Sequence, residues 1–266
     1  MNKKVRTKTV REWKNSDHKI SCLTAYDYTF ARILDTAGVD IILVGDSASN
    51  VIAGFETTLP FTMENMIYHT AAVSRALSRA LLVADLPFGS YQVSDEQAIS
   101  NAIRLMKSGN AEAVKLEGGE HISELVQNLT GKGIPVMGHL GLTPQSVHQF
   151  GGYHTQGTSD KTATRLLNDA KILEEAGAFS LVLEKIPADL ARQVTESVDI
   201  PTIGIGAGNQ CDGQVLVLYD MLGMYDDIRP KFVRRYAELG DSINSAVKEY
   251  IQDIQNGSFP SEKESF

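Results

Sequence analysis

A chain of 266 residues, 42% apolar and 22% charged, is long enough to bury a large core and ordinary in size for one α/β barrel. Its net charge of −8 opposes polyanions and anionic membrane surfaces, so nucleic acid and membrane are not expected partners, whereas a small anion could still be held by a few local cations. No apolar run approaches spanning length, no apolar signal segment follows the basic residues 1–14, and Cys22 and Cys211 are too few for a disulfide framework, so a reducing cytoplasm is expected.

In chain order, residues 1–18 are polar and are expected to form a short helix or arm over one end of the fold. Strand one is predicted over 20–26. A helix follows from Asp27, placed as an N-cap or first-turn acid, to Gly38, placed as the C′ stop. Residues 41–47, Ile-Ile-Leu-Val-Gly-Asp-Ser, lack polar alternation and read as a strand buried on both faces that ends in a carboxylate and a hydroxyl. The following residues, 48–62, show no helical period and are expected to be a functional loop or lid. A second helix carries Met66, Ile67, Val73 and Leu77. Strand three, 81–85, ends in Asp85, and a Ser94/Gln97 capping box is expected before a helix facing inward with Ala98, Ile99, Ala102, Ile103 and Met106.

Strand four is expected over 113–118, a helix near 122–129 and strand five up to His139. A second long loop, 141–158, contains His148 and His154, which are expected to have no metal role. A helix through Leu166 and Leu173, strand six to Glu184, a helix opened by Pro187, strand seven over 201–205 and strand eight over 215–219 complete the set. The glycines at 204, 206 and 208 are not a dinucleotide fingerprint, because Asn209 follows and the run comes after a late strand. Apolar residues from Phe232 to Ile254, spaced by threes and fours, predict one long tail helix. Eight strands alternating with helices predict a single (β/α)8 TIM barrel covering residues 1–266, with an N-terminal arm and a C-terminal helix.

All strand ends of a parallel barrel open onto one mouth, so Asp46, Asp85, Lys115, Glu117, His139 and Glu184 should converge. Any one of them could be a helix cap or a solvated charge. Successive strands behaving alike weaken that reading, since gathered carboxylates are costly without a cation or a proton to offset them. Oxygen donors without cysteine suit Mg²⁺ better than Zn²⁺, and a chelating 2-oxo acid suits Mg²⁺. Lys115 would be a point charge for that acid or an ion-pair partner of Glu117. His139 would bind ligand or support a neighbour, and Glu184 would be the spare carboxylate, free to act as a base.

The blocks 23–27 (Leu-Thr-Ala-Tyr-Asp), 44–47 (Val-Gly-Asp-Ser), 85–91 (Asp-Leu-Pro-Phe-Gly-Ser-Tyr) and 114–118 (Val-Lys-Leu-Glu-Gly) resemble ketopantoate hydroxymethyltransferase. So do 138–145 (Gly-His-Leu-Gly-Leu-Thr-Pro-Gln), 182–184 (Val-Leu-Glu) and 203–208 (Ile-Gly-Ile-Gly-Ala-Gly). The resemblance implies a barrel of the phosphoenolpyruvate mutase and isocitrate lyase superfamily. It also implies transfer of a hydroxymethyl group from 5,10-methylenetetrahydrofolate, the cosubstrate, to 3-methyl-2-oxobutanoate. The product, 2-dehydropantoate, leads to pantothenate and coenzyme A. Carried over by motif, Asp46, Asp85 and Glu117 match the Mg²⁺ site, Glu117 directly or through water. Asp46, Ser47, Asp85 and Lys115 match the keto acid contacts, Glu184 matches the proton acceptor, and His139 falls on a further active-site position. A cytoplasmic homo-oligomer, a decamer, is implied by the same resemblance. The competing readings are a superfamily relative acting on another 2-oxo acid without folate, and a non-catalytic assembly barrel.

Overall fold

Short runs of four to six residues, each followed by a helical segment except the seventh, which leads straight into the eighth, pair with the next run in sequence and close on themselves. The computed structural model describes residues 3–225 and 230–266. Strands β1 (Ile20–Thr24), β2 (Ile41–Val44), β3 (Leu81–Asp85), β4 (Ala113–Glu117), β5 (Val136–Gly141), β6 (Ser180–Glu184), β7 (Thr202–Ile205) and β8 (Gly213–Leu216) form a closed barrel in sequence order. Every pairing is parallel, and β1 pairs with β8 to close the ring. The expected (β/α)8 barrel is therefore the fold.

Two compact units divide the chain, Met1–Val217 with the barrel and Leu218–Phe266 with the tail. In the first, the helices are α1 (Thr7–Glu12), α2 (Tyr28–Ala37), α3 (Ala48–Val51), α4 (Met63–Ser74), α5 (Asp95–Ser108), α6 (Ser123–Gly131), α7 (Val147–Phe150), α8 (Asp160–Glu175) and α9 (Ala188–Ser197). In the second they are α10 (Leu218–Met221) and α11 (Leu239–Asn256). Caps explain several boundaries. The Asp27 carboxylate accepts from the Phe30 amide at 2.9 Å to open α2, and Gly38 closes it at φ 91°, a left-handed conformation that costs glycine little. Ser94 caps α5 by accepting from the Gln97 amide.

Strand alternation sets the barrel interior. Ile20 and Cys22, Ile41 and Leu43, Leu81 and Val83, Ala113, Met137, Val182, Ile203 and Val215 share one buried cluster. Val5 and Val10 of the N-terminal segment join the same cluster, so the expected arm is an apolar plug at one end of the barrel. Lys4 and Lys14 fasten it with ion pairs to Glu112 at 2.6 Å and Asp212 at 2.9 Å.

Some boundaries differ from expectation, each for a local reason. The loop after β2 contains a helical turn, α3, because Ala48 and Ser49 bond back to the carbonyls of Gly45 and Asp46. Likewise α7 and a 3-10 turn, Pro144–Ser146, occupy the loop after β5. Strand β8 ends at Leu216, and Tyr219 lies in α10. On α5 the buried face is Ala98, Asn101, Ala102 and Leu105, while Ile103 is exposed; Asn101 is accommodated because its amide donates to the Ser90 carbonyl at 2.8 Å. The tail helix starts at Leu239, not Phe232, since the amides of Tyr236, Leu239 and Gly240 bond to Met221, Leu222 and Gly223.

Asp40, buried at the end opposite the strand tips, accepts from the Ser21 amide and hydroxyl at 3.0 and 2.9 Å and from Arg79 at 2.6 Å, and His18 lies at 3.0 Å. Burial pushes its carboxyl up, but the Ser21, Arg79 and His18 contacts together hold it below the usual carboxylate range. A depressed native pKa means that the unfolded chain binds more protons, so this stabilisation is complete above the ordinary Asp range and is lost as pH falls through the native value. Asp40→Asn should lower stability at pH 7 by about 2 kcal/mol, the worth of a hydrogen bond to a charged group. In urea melts the gap from the parent protein should close on acidification; a gap that persists at the lowest pH would refute the assignment.

Candidate active site

Inward alternation carries five of the six strand-end candidates into the mouth. Val83 faces the interior, so Asp85 does too; Ala113 sets Lys115 and Glu117, Met137 sets His139, and Val182 sets Glu184. Asp46 breaks this pattern. It lies beyond the end of β2, where the chain turns at Gly45, and its backbone amide donates to Asp85 Oδ2 at 3.0 Å. A side chain at Gly45 would meet Ser47 Oγ at 2.8 Å, which explains why glycine stands there.

The candidates converge. Lys115 Nζ is 3.0 Å from Asp85 Oδ1, 4.0 Å from Glu117 Oε1 and 3.2 Å from His139 Nδ1. His139 Nε2 faces Glu184 Oε2 at 3.2 Å, and its Nδ1 is 3.5 Å from Glu117 Oε1. Asp46, Asp85, Lys115, Glu117 and His139 are all buried, whereas the Glu184 side chain keeps 16% of its surface exposed. Ser47, half-buried, shares a 2.8 Å hydrogen bond with the Tyr26 hydroxyl. Lys115 thus pairs with Asp85 more closely than with Glu117, so the short-range partner supplied by its own strand is the weaker one. His148, on α7, and His154, whose ring lies 3.3 Å from the Gly151 carbonyl, have no part in the cluster.

Electrostatics follow from this crowding. Burial first, then the charges of Asp85 and Glu117, push the Asp46 carboxyl well above its ordinary value. Burial also raises Asp85, against the pull of Lys115 and the Asp46 amide. On Glu117 burial acts in the same direction, but His139, Lys115 and the Gln145 amide outweigh it and hold the carboxyl low. Burial disfavours the Lys115 charge, yet Asp85, Glu117 and Asp46 overcome it and raise the ammonium pKa. Two protonation patterns compete at His139: a neutral ring accepts from Lys115, and a charged ring faces the two glutamates. Burial and Lys115 oppose the charge, the glutamates prevail, and the imidazole is pushed up to about 9.

The residues suit a hard cation in part. Among the described residues no group of three or more His, Cys, Asp or Glu side chains is arranged to hold a metal ion. Mg²⁺ does not require such a cage, since it takes one or two carboxylates and keeps waters. Asp85 Oδ1 and Glu117 Oε1 are buried beside Lys115 and His139, at 3.0 and 3.5 Å, and at Asp46 and Asp85 burial and neighbouring carboxylates outweigh Lys115, so both carboxyls are raised. A cation held by Asp46 and Asp85, with Glu117 at one water's remove or in direct contact, fits these donors.

The amino-acid order gives no role to Gln145 or Tyr91, although both lie in the blocks 138–145 and 85–91. Gln145 is buried and bonds to Asp46 and Glu117, and the Tyr91 hydroxyl stands 3.2 Å from the Glu117 amide. Neither side chain is ionised at neutral pH, and a neutral residue on a loop leaves no charge or periodicity signal. Gly141 supports the same region from β5. At φ 93° an added Cβ would overlap the Glu184 carbonyl oxygen, so Gly141→Ala should cost about 1–3 kcal/mol from overpacking and displace Glu184. Thermal unfolding and turnover should fall together; an unchanged melting temperature would show that the strand end yields freely.

Comparison with known proteins agrees with this geometry. The model of the family described as ketopantoate hydroxymethyltransferase matches residues 4–262. A protein of Syntrophus aciditrophicus (strain SB) named 3-methyl-2-oxobutanoate hydroxymethyltransferase is 56% identical over 264 residues, covering 99% of this chain and 97% of its own. One of the same name from Prosthecochloris aestuarii (strain DSM 271 / SK 413) is 58% identical over 266 residues, covering 98% and 96%. Among solved structures, 2,3-dimethylmalate lyase, a PEP mutase/isocitrate lyase superfamily member, aligns with a TM-score of 0.60 at 18% identity, covering 98% of this chain and 91% of its own, a likeness of fold. With its matched length, its identity to named relatives and one closed barrel of the same type, this chain belongs to the ketopantoate hydroxymethyltransferase family.

Proposed function

We propose that the chain transfers a hydroxymethyl group from 5,10-methylenetetrahydrofolate to 3-methyl-2-oxobutanoate, giving 2-dehydropantoate, with Mg²⁺ as cofactor. The observation that carries this reading is the buried cluster of Asp46, Asp85, Lys115 and Glu117 in the barrel mouth of a member of this family. Asp46 and Asp85 would hold the ion, with Glu117 in direct contact or through water. Bound there, Mg²⁺ supplies Lewis-acid polarisation of the 2-oxo group.

The protein's own groups do the rest. Lys115 is kept charged by its carboxylate neighbours and offers a fixed positive charge to the substrate carboxylate or to the oxygen on which enolate charge develops. Ser47, oriented by the Tyr26 hydroxyl, offers a further hydrogen bond to the keto acid together with Asp46 and Asp85. Glu184, the least buried carboxylate of the cluster, removes the C3 proton. His139, whose charged form the two glutamates favour, holds the Glu184 carboxylate at 3.2 Å and links it to Glu117. Water opens the methylene bridge of the donor, both C–N bonds breaking and the two water protons going to the nitrogens of the departing tetrahydrofolate. The enolate carbon bonds to the released formaldehyde-level carbon, whose oxygen takes the proton held by Glu184 and becomes the new hydroxyl.

Both compact units are proposed to serve this one activity in a cytoplasmic homo-oligomer, a decamer by family resemblance. The free thiols of Cys22 and Cys211 agree with a reducing compartment, and no helix among the described residues is long and apolar enough to cross a membrane. Helix α11 offers a half-exposed stripe of Ile243, Val247, Tyr250 and Ile254.

Proton NMR of 3-methyl-2-oxobutanoate in D₂O with the enzyme and Mg²⁺, with and without tetrahydrofolate and formaldehyde, tests the proposal. The C3 proton signal should disappear, and ketopantoate should form only with the folate mixture. Neither event in folded, metal-supplied protein would transfer the assignment to a relative acting on another 2-oxo acid.

A further inference from the structure

Gln145 occupies a singular position in the mouth. It is 6% exposed, and it follows Pro144 at the start of a 3-10 turn in the loop after β5. Its side-chain amide makes four hydrogen bonds. Nε2 donates to Asp46 Oδ2 at 2.9 Å and to the Leu86 carbonyl at 3.0 Å, while Oε1 accepts from the Tyr91 hydroxyl at 2.9 Å and from Gln92 Nε2 at 3.1 Å. The Leu86 carbonyl can only accept, so Nε2 faces it; a flipped amide would set two carbonyl oxygens against each other.

The backbone amide of the same residue donates to Glu117 Oε2 at 3.0 Å. Tyr91 closes the circuit. Its hydroxyl accepts from the Glu117 amide at 3.2 Å and donates to Gln145 Oε1, so Glu117, Tyr91 and Gln145 form a ring of hydrogen bonds. The phenol hydrogen has two acceptors in reach, Gln145 Oε1 at 2.9 Å and the Glu117 carbonyl at 3.2 Å, and the shorter contact is to Gln145. One residue therefore fixes one oxygen on each of two acidic side chains that arrive on different elements, Asp46 from beyond β2 and Glu117 from β4. The other Glu117 oxygen, Oε1, is buried and faces His139 Nδ1 at 3.5 Å and Lys115 Nζ at 4.0 Å.

We propose that Gln145 is a positioning residue that, by holding one oxygen of Asp46 and one of Glu117, orients both carboxylates for the divalent cation and so sets its affinity. A neutral amide suits the task because it donates to Asp46 without contributing charge of its own, whereas a lysine there would compete with the cation. The proposal rests on the Mg²⁺-dependent reading above. Carboxylates that ligate metals are themselves held by hydrogen bonds, and removal of such partners typically weakens metal binding or activity by about 10–100-fold.

The test is Mn²⁺ binding to full-length protein, followed by the loss of free-ion signal in electron paramagnetic resonance, with melting temperature recorded alongside. Gln145→Met keeps the length of the side chain and removes its donors and acceptor. It should weaken Mn²⁺ by about 10–100-fold, and C3 proton exchange should then recover as Mn²⁺ or Mg²⁺ is raised. A role confined to bracing the loop would lower the melting temperature and leave Mn²⁺ affinity within twofold of the parent, and that result would overturn the proposal. If Gln145→Met does not fold, Tyr91→Phe leaves Gln145 packed but removes one lock on its amide. It should weaken Mn²⁺ by about fivefold, the equivalent of one neutral hydrogen bond; unchanged affinity in that variant would equally overturn the proposal. Parent protein that binds no Mn²⁺ at all would instead count against the metal-dependent reading on which this one depends.

Discussion

Glu184→Gln should lower the rate of C3 proton exchange in 3-methyl-2-oxobutanoate by about 10²–10⁴-fold while leaving Mg²⁺-dependent binding of the acid within a few-fold of the parent. The asymmetry follows from position. Glu184 ends β6, meets the cluster through His139 at 3.2 Å among the described ion pairs and is the carboxylate there with appreciable exposure. Removing its charge therefore leaves Asp46, Asp85 and Lys115 as they are. The obvious rival base is His139, and pH separates the two. The imidazole is held protonated up to about 9, so a route through His139 would accelerate as pH rises through that value, whereas a route through Glu184 would not. NMR exchange rates in the Glu184→Gln variant from pH 6 to 10 would decide it. Exchange that persists at the parent rate in the variant would remove Glu184 as the base, and exchange that persists and climbs with pH, below 9 because the variant lacks the Glu184 charge that helps to raise His139, would assign the step to His139.

Lys115→Met should have the largest effect on stability. The ammonium is 4% exposed and lies within ion-pair distance of Asp85 and Glu117, and no other lysine or arginine contacts these carboxylates among the described ion pairs. Leaving buried carboxylates without their cation costs about 3–5 kcal/mol, which for a chain of this size corresponds to a fall in melting temperature of roughly 6–20 °C. The dependence on pH should be opposite to that at Asp40. Asp46 and Asp85 have raised native pKa values, so the folded protein binds more protons than the unfolded chain once pH exceeds the ordinary Asp range. Their contribution is unfavourable at neutral pH and is relieved as pH falls. Without Lys115 that relief should grow, so the variant should regain stability on mild acidification, and added Mg²⁺ should raise its melting temperature by mass action. A melting temperature equal to the parent's at pH 7 would show that Lys115 is dispensable to the fold. A variant that is equally unstable at pH 5 and pH 7 would show that the loss comes from packing and not from charge. Catalysis should fall in either case if Lys115 holds the substrate anion.

The eight strands and most helices were legible in the amino-acid order because their signals are local. Apolar runs such as 81–85 and 180–184, Asp27 before α2 and Gly38 after it act within a few residues, and parallel strands separated by helices leave few ways to close. The convergence of Asp85, Lys115, Glu117, His139 and Glu184 was legible for the same reason, since a period of two and a common strand direction carry them to one mouth. Where α11 begins was not legible, because backbone bonds from residues 236–240 to Met221, Leu222 and Gly223 override a helical spacing that starts at Phe232. The N-terminal plug depends on Val5 and Val10 meeting the barrel interior, a contact across distant sequence. Which carboxylate pairs most closely with Lys115, the entry of Asp46 from outside the strand pattern and the ring formed by Gln145, Tyr91 and Glu117 were decided only in three dimensions. Those features rest on hydrogen bonds and charges between residues tens of positions apart, and directions and distances of that kind have no periodic trace along the chain.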